Sequence, residues 1–148
     1  MFQRILIATD GSRLAGKGVD EGVKLAAQLK AQVVFLFVTE PWAPGFDEAV
    51  AWSPNSIVLA EYEKANNELA GKVLGVAEAK AEAAGVARKT LHLSDRYAAD
   101  AIIETSSKEN IDLVVMASHG RRGLGKILLG SQTQMVLTHS KIPVLVIR

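Results

Sequence analysis

Four stretches of this chain are apolar at nearly every position: residues 5–8 (Ile-Leu-Ile-Ala), 33–38 (Val-Val-Phe-Leu-Phe-Val), 113–116 (Leu-Val-Val-Met) and 143–147 (Pro-Val-Leu-Val-Ile). A strand with one wet face alternates apolar and polar residues, whereas short unbroken apolar runs belong to strands covered on both faces, as in a parallel sheet. A fifth run, residues 89–93 (Lys-Thr-Leu-His-Leu), is mixed. Helical patterns separate the five. Ser12 is placed to cap a helix that starts after Gly11, with Val19, Val23, Ala26 and Ala27 on one face. A longer helix is predicted over 57–84, where Val58, Tyr62, Ala65, Leu69, Val73, Ala77 and Ala81 recur at steps of three and four before Gly85 stops it. A third, over 98–109, turns Ala98, Ile102 and Ile103 inward, and a last one over 132–139 uses Met135 and Val136. Strand and helix alternate to the end, and crossovers between parallel strands are nearly always right-handed. The expected fold is a doubly wound α/β sandwich with helices on both faces.

The length of 148 residues suits one domain with a real core, taken here as residues 1–148. An apolar content of 49% and a charged content of 22% are those of a soluble globular protein. With a net charge of +1 there is no broad basic field, so nucleic acid is not an expected partner. The absence of cysteine removes disulfides, thiolate metal sites and thiol nucleophiles together, and fits a reducing cytoplasm. The first eight residues are too short an apolar run for a signal peptide or a membrane span. Residues 39–56 break the rhythm, with three of the four prolines and both tryptophans. They read either as a surface loop over the core edge or as a lid over a ligand.

In an open parallel sheet, ligands bind beyond the carboxyl ends of the strands, where strand order reverses. Three segments should meet there: Ala8, Thr9, Asp10, Gly11 and Ser12 after the first strand, Val38 and Thr39 after the second, and residues 116–120 (Met-Ala-Ser-His-Gly) after the fourth. The last of these is followed by nine residues and then by Gly130, Ser131, Gln132 and Thr133, where the final helix should begin. Gly120 lets the backbone approach a phosphate. Unpaired amides at a helix start favour an anion, and the Ser131 and Thr133 hydroxyls are potential donors to phosphate oxygens. The plainer alternative makes Ser131 an N-cap and the glycines turns. Asp10 suits ribose hydroxyls or a metal carried on phosphates, or it only turns the chain into the helix. The backbone of Val38 suits an adenine edge, or is plain strand.

Other constellations are thin. Residues 120–126 fit G-x-x-x-x-G-K, but Ile127 follows where a P-loop needs Ser or Thr for magnesium. His92, His119 and His139 lack metal-ligand spacing. Arg121, Arg122 and Lys126 form a small basic group beside the loop. Asp95 follows the third strand, but the paired acids of a phospho-acceptor domain are missing after the first.

These residues resemble the universal stress protein family over nearly the whole chain. The likeness lies in the opening Ile-Leu-Ile-Ala-Thr-Asp-Gly-Ser, in residues 112–120 (Asp-Leu-Val-Val-Met-Ala-Ser-His-Gly), in Leu-Leu-Gly-Ser at 128–131, and in the closing Pro-Val-Leu-Val-Ile. The ATP-binding branch of that family carries G-x-x-G, nine residues, then G-[S/T]. Gly120, Gly130 and Ser131 match it, while Ala117 stands at the first glycine, and its methyl group narrows the approach to the ribose or phosphates. The resemblance implies a five-stranded parallel sheet in the order 3-2-1-4-5, a homodimer and a bound adenine nucleotide (ATP, ADP or AMP), with magnesium reaching the site through the phosphates. It assigns Asp10 to the ribose or that metal and the Val38 backbone to adenine. Ala8, with Thr9 beside it, and Met116 would line base or sugar. Ala117, Gly120, Gly130, Ser131, Gln132 and Thr133 would wrap the phosphates. The dimer has a physical ground of its own, since a long apolar last strand at a sheet edge invites a partner. The implied function is a nucleotide-binding regulatory module of the stress response. The alternatives are a slow ATPase or a phosphoryl or nucleotidyl transferase, and a dimeric interaction protein that ignores nucleotides.

Overall fold

The computed structural model describes residues 1–43, 56–121 and 128–148. Five parallel strands, β1 (Arg4–Ala8), β2 (Gln32–Thr39), β3 (Arg88–Ser94), β4 (Leu113–Ala117) and β5 (Val144–Ile147), form one sheet in the order β3-β2-β1-β4-β5. Four helices connect them: α1 (Arg13–Leu29), α2 (Ser56–Ala83), α3 (Ala98–Lys108) and α4 (Ser131–His139). This is the expected doubly wound order, and it puts the reversal point between β1 and β4.

The continuous apolar runs of β1, β2 and β4 are explained by two cores, one on each face; β5, the fourth such run, lies at the sheet edge and has no fully buried residue, so the expected cover on both faces is not found there. Ile5, Ile7, Val33, Phe35 and Val115 pack with Val19, Val23 and Ala26 of α1 and with Ala70, Leu74, Ala77 and Ala81 of α2. Leu6, Val34, Leu36, Val114 and Met116 pack with Ala99, Ala101 and Ile102 of α3 and Val136 of α4. The mixed run became β3, an edge strand that is only partly buried, as its polar residues require.

α1 starts where Ser12 accepts the Ala15 amide on its hydroxyl at 3.2 Å. Its buried stripe includes Gly22, which lets the helix approach the sheet closely: a Cβ there would meet the Ile7 Cδ1 at 2.5 Å. α2 ends at Ala83, and Gly85 follows with φ of 67°, a turn that a side chain rarely adopts.

Several side-chain expectations need correction. Ala27 is exposed, because the buried stripe of α1 follows Val19, Val23 and Ala26 and leaves position 27 a step outside it. Val58 and Ala65 are also exposed: the buried positions of α2 all fall in its second half, which is the part packed on the sheet. In α3 Ala98 and Ile103 are half-buried, and Ala99, Ala101, Ile102 and Thr105 face the core. In α4 Val136 is buried but Met135 is exposed. The last strand is an edge strand, but it has four residues rather than a long run; Pro143, which has no N–H to donate, precedes it and lends its carbonyl to the Val114 amide at 3.0 Å. The segment 39–56, read as a surface loop or a lid, falls mostly on residues 44–55, outside the described residues.

Candidate functional site

The carboxyl ends of β1, β2 and β4 converge on one crevice. β1 stops at Ala8, and the amide of the buried Thr9 extends the ladder by one bond to the Leu36 carbonyl at 3.0 Å. β2 runs on to Thr39. Amide and carbonyl of a strand residue point to the same side, and alternate residues share that side. Leu36 faces β1, and the Thr39 carbonyl faces away from it, accepting the Arg96 amide at 3.3 Å. The main chain of Val38 therefore faces β1 at a level beyond its last residue, where a planar donor-acceptor edge fits.

The chain leaves β1 in a tight turn. The Thr9 hydroxyl accepts the Gly11 amide at 3.3 Å, and Asp10 Oδ1 accepts the Ser12 amide at 2.9 Å. Asp10 Oδ2 accepts the Arg121 amide at 3.0 Å, across 111 positions of sequence. The aspartate after β1 and the loop after β4 are thus in direct contact. Gly120 fits this contact closely, since a Cβ there would lie 2.8 Å from Asp10 Oδ2.

The other end of the loop returns to β4. The Gly130 amide donates to the Ser118 carbonyl at 2.8 Å, and the Thr133 hydroxyl donates to the Ala117 carbonyl at 3.0 Å. A Cβ at Gly130 would stand 3.3 Å from the His119 Cα, so a larger residue would push on main chain. Gly130 is the N-cap of α4 and offers no side-chain acceptor. Among the described residues, the amides of Ser131, Gln132 and Thr133 have no acceptor. Three such donors at the positive end of a helix, with no acidic side chain in the first turn, make this helix start a candidate cradle for an anion.

Several expected contributors behave differently in detail. The Thr133 hydroxyl, expected as a phosphate donor, is buried and its proton is committed to Ala117; what this residue offers is its amide. The Gln132 side chain points to α3, where its Oε1 accepts the Ala99 amide at 2.8 Å. The Met116 side chain is in the core beside α3 and α4, and Ala8 packs against the same cluster. Ala117 is buried at the end of β4. Ser131 is exposed beside the cradle. Arg122 and Lys126 lie outside the described residues, as does the G-x-x-x-x-G-K stretch beyond Arg121.

The histidines do not gather. His92 on β3 bonds through Nε2 to the Thr39 hydroxyl at 2.8 Å and meets the Phe37 ring edge-on at 5.5 Å. Burial holds its pKa below the ordinary value. His139 bonds to the Met135 carbonyl at 3.0 Å, and His119 Nδ1 lies 3.2 Å from the Ser118 hydroxyl. Among the described residues no three His, Asp or Glu side chains cluster as metal ligands, and no helix is long and apolar enough to cross a membrane. Sequence reasoning missed the Arg121 amide on Asp10 and the Gln132 bond to Ala99. Both join segments far apart in the chain, and a backbone partner leaves no mark in residue type.

Residues 1–148 match the model of the universal stress protein family. The chain belongs to that family. A universal stress protein from Thermus aquaticus is 33% identical over 153 residues, covering all of both chains. Among solved structures, universal stress protein UspA from Lactobacillus plantarum superposes with a TM-score of 0.80 at 20% identity over 99% of this chain and 98% of its own, a likeness of fold. A universal stress protein in complex with cAMP is 27% identical, with a TM-score of 0.72 over 99% of this chain and 97% of its own. Two more distant members of the fold hold dAMP and AMP: one from Archaeoglobus fulgidus (16% identical, TM-score 0.65, covering 100% of this chain and 98% of its own) and one from Arabidopsis thaliana (14%, 0.69, 98% and 90%).

Proposed function

We propose that this universal stress protein binds an adenine nucleotide across the ends of β2, β1 and β4 and acts as a nucleotide-dependent regulatory module. The observation that carries the reading is the set of amides at Ser131, Gln132 and Thr133 that have no acceptor among the described residues, on a helix start tied to the β4 end. The same loop reaches Asp10. In this reading phosphates sit on those amides, with Gly120 and Gly130 keeping the approach clear and the Ser131 hydroxyl adding a donor. Asp10 takes the ribose hydroxyls or a magnesium ion that arrives on the phosphates. The main chain of Val38 reads the adenine edge, and Ala8, Thr9, Met116 and Ala117 form the floor. The adenine nucleotides bound by related structures favour this ligand class.

The module is a single cytoplasmic domain in this proposal. A second copy pairs along β5, whose outer edge has no strand neighbour among the described residues and whose Leu145 is 39% exposed.

The test is direct. Purified protein is denatured and its supernatant analysed for released nucleotide, and the stripped protein is titrated calorimetrically with AMP and with ATP plus magnesium. Saturable binding of either is expected. Absence of heat at millimolar nucleotide overturns the proposal.

A further inference from the structure

α3 begins without a cap of its own. Its N-cap residue is Tyr97, whose side chain makes no capping bond. A helix start in that state leaves amide donors that another group must satisfy. Gln132 does so from the neighbouring helix, accepting the Ala99 amide on Oε1 at 2.8 Å in a part-buried contact. The backbone of Gln132 belongs to the first turn of α4, where its amide is one of the three without an acceptor among the described residues. One residue stands with its main chain in the cradle and its side chain on another helix.

Both sides of this bridge are anchored. The first turn of α4 is tied to the end of β4 through Gly130 to Ser118 and Thr133 to Ala117. On the other side, Arg96 pairs with Glu104 of α3, and Tyr97 between Arg96 and the helix is 54% exposed. A change in the first turn of α3 therefore reaches solvent at the β3–α3 turn.

We propose that Gln132 is a positioning residue that carries the occupancy of the cradle to the first turn of α3 and the exposed Tyr97. The inference rests on the nucleotide reading above. An anion on the Ser131–Thr133 amides fixes the Gln132 backbone, so less side-chain freedom is lost when Oε1 caps Ala99. Each event favours the other, and the coupling is reciprocal.

The experiment is amide exchange at Ala99 by NMR in wild type, Gln132→Met and Gln132→Glu, without nucleotide and with AMP at a concentration saturating for each. Met keeps the length and loses the acceptor, whereas Glu keeps an Oε1 acceptor. In wild type AMP slows Ala99 exchange several-fold. Without nucleotide, Gln132→Met exchanges about fivefold faster at Ala99, the loss expected of one cap, and Gln132→Glu returns it to the wild-type rate. AMP no longer slows Ala99 in Gln132→Met. Wild type that binds AMP without any change at Ala99 overturns the inference, as does a Met variant that keeps the same slowing. Should the Met variant fail to bind AMP, the nucleotide-free comparison decides, and equal Ala99 exchange in wild type and Met overturns it. Failure of wild type to bind AMP at all is a separate outcome: it removes the nucleotide reading, while the capping of α3 by Gln132 is still read from the nucleotide-free rates.

Discussion

Replacing Gly120 by Ala tests the geometry of the crevice with one methyl group. The added Cβ would lie 2.8 Å from Asp10 Oδ2, about 0.6 Å inside the 3.4 Å at which ordinary contact begins. The backbone poses no obstacle, because among the described glycines only Gly11 and Gly85 have positive φ. The carboxylate must therefore retreat or the loop must lift, and either movement breaks the bond from the Arg121 amide. A hydrogen bond to a charged acceptor contributes about 1.5 kcal/mol, and less where water reaches it as it does here. Removing a glycine from the unfolded chain returns about 0.4–1 kcal/mol. The two nearly cancel, so the urea midpoint of Gly120→Ala should lie within about 1 kcal/mol of wild type. Nucleotide affinity should not be spared. In the proposed reading a displaced Asp10 gives up its contact with the ribose or the phosphate-borne metal, an interaction of about 1.5 kcal/mol, close to tenfold in Kd. Calorimetric titration with AMP measures it, and the double mutant with Asp10→Ala should be no weaker than Asp10→Ala alone, since both act through one carboxylate. An AMP affinity of Gly120→Ala within twofold of wild type, or an additive double mutant, refutes the reasoning.

Thr133→Val keeps the shape of a buried side chain but leaves the Ala117 carbonyl without its donor; stability should fall by about 1–2 kcal/mol, and an unchanged urea midpoint would count against the bond. Gly22→Ala drives a methyl group to 2.5 Å from Ile7 Cδ1 and should cost about 1–3 kcal/mol, partly restored by Ile7→Val, which deletes that atom. His92 has its folded pKa lowered by burial, so between that value and the ordinary one of about 6.5 the unfolded chain binds more protons. Its contribution is complete above about pH 6.5 and is lost as pH falls through the folded value; urea midpoints should drop on acidification, and less steeply in His92→Gln.

The architecture was open to reading because burial on both faces leaves a mark in composition. β1, β2 and β4 are central and carry unbroken apolar runs, and the mixed run of β3, with Lys89 and His92, lies at an edge; β5 is also an edge yet reads as apolar throughout, so there composition overstated the burial. The helix faces were less legible where periodicity outran packing. Val58 and Ala65 continue the spacing of Leu69 and Val73, yet the sheet ends before they reach it, so they remain exposed. Spacing records what a helix offers; only tertiary structure decides how much of it is covered. Ala27 makes the same point on a smaller scale, since an alanine is tolerated on either side of the boundary of a stripe.

The candidate site divides along a different line, between groups whose chemistry is their residue type and groups whose chemistry is their position. Asp10, Gly120 and Gly130 can be singled out from residue type, a carboxylate at a strand end and glycines at the two ends of a loop, although each also has a plain reading as a turn residue. Residue type misleads at Thr133 and Gln132: each carries a polar side chain suited to phosphate, yet each turns it inward, one to the Ala117 carbonyl and one to the Ala99 amide. Their side chains tie the helix start to β4 and α3, and their amides have no acceptor among the described residues. The cradle is thus made of main chain, and the polar side chains around it are its scaffold. A substitution that preserves backbone position, such as Gln132→Glu, should then disturb the cradle through charge alone, whereas Thr133→Val should loosen its geometry without changing its charge. Comparing the salt dependence of AMP binding in the two separates these effects. The Glu variant should recover affinity as salt screens its carboxylate, and the Val variant should not.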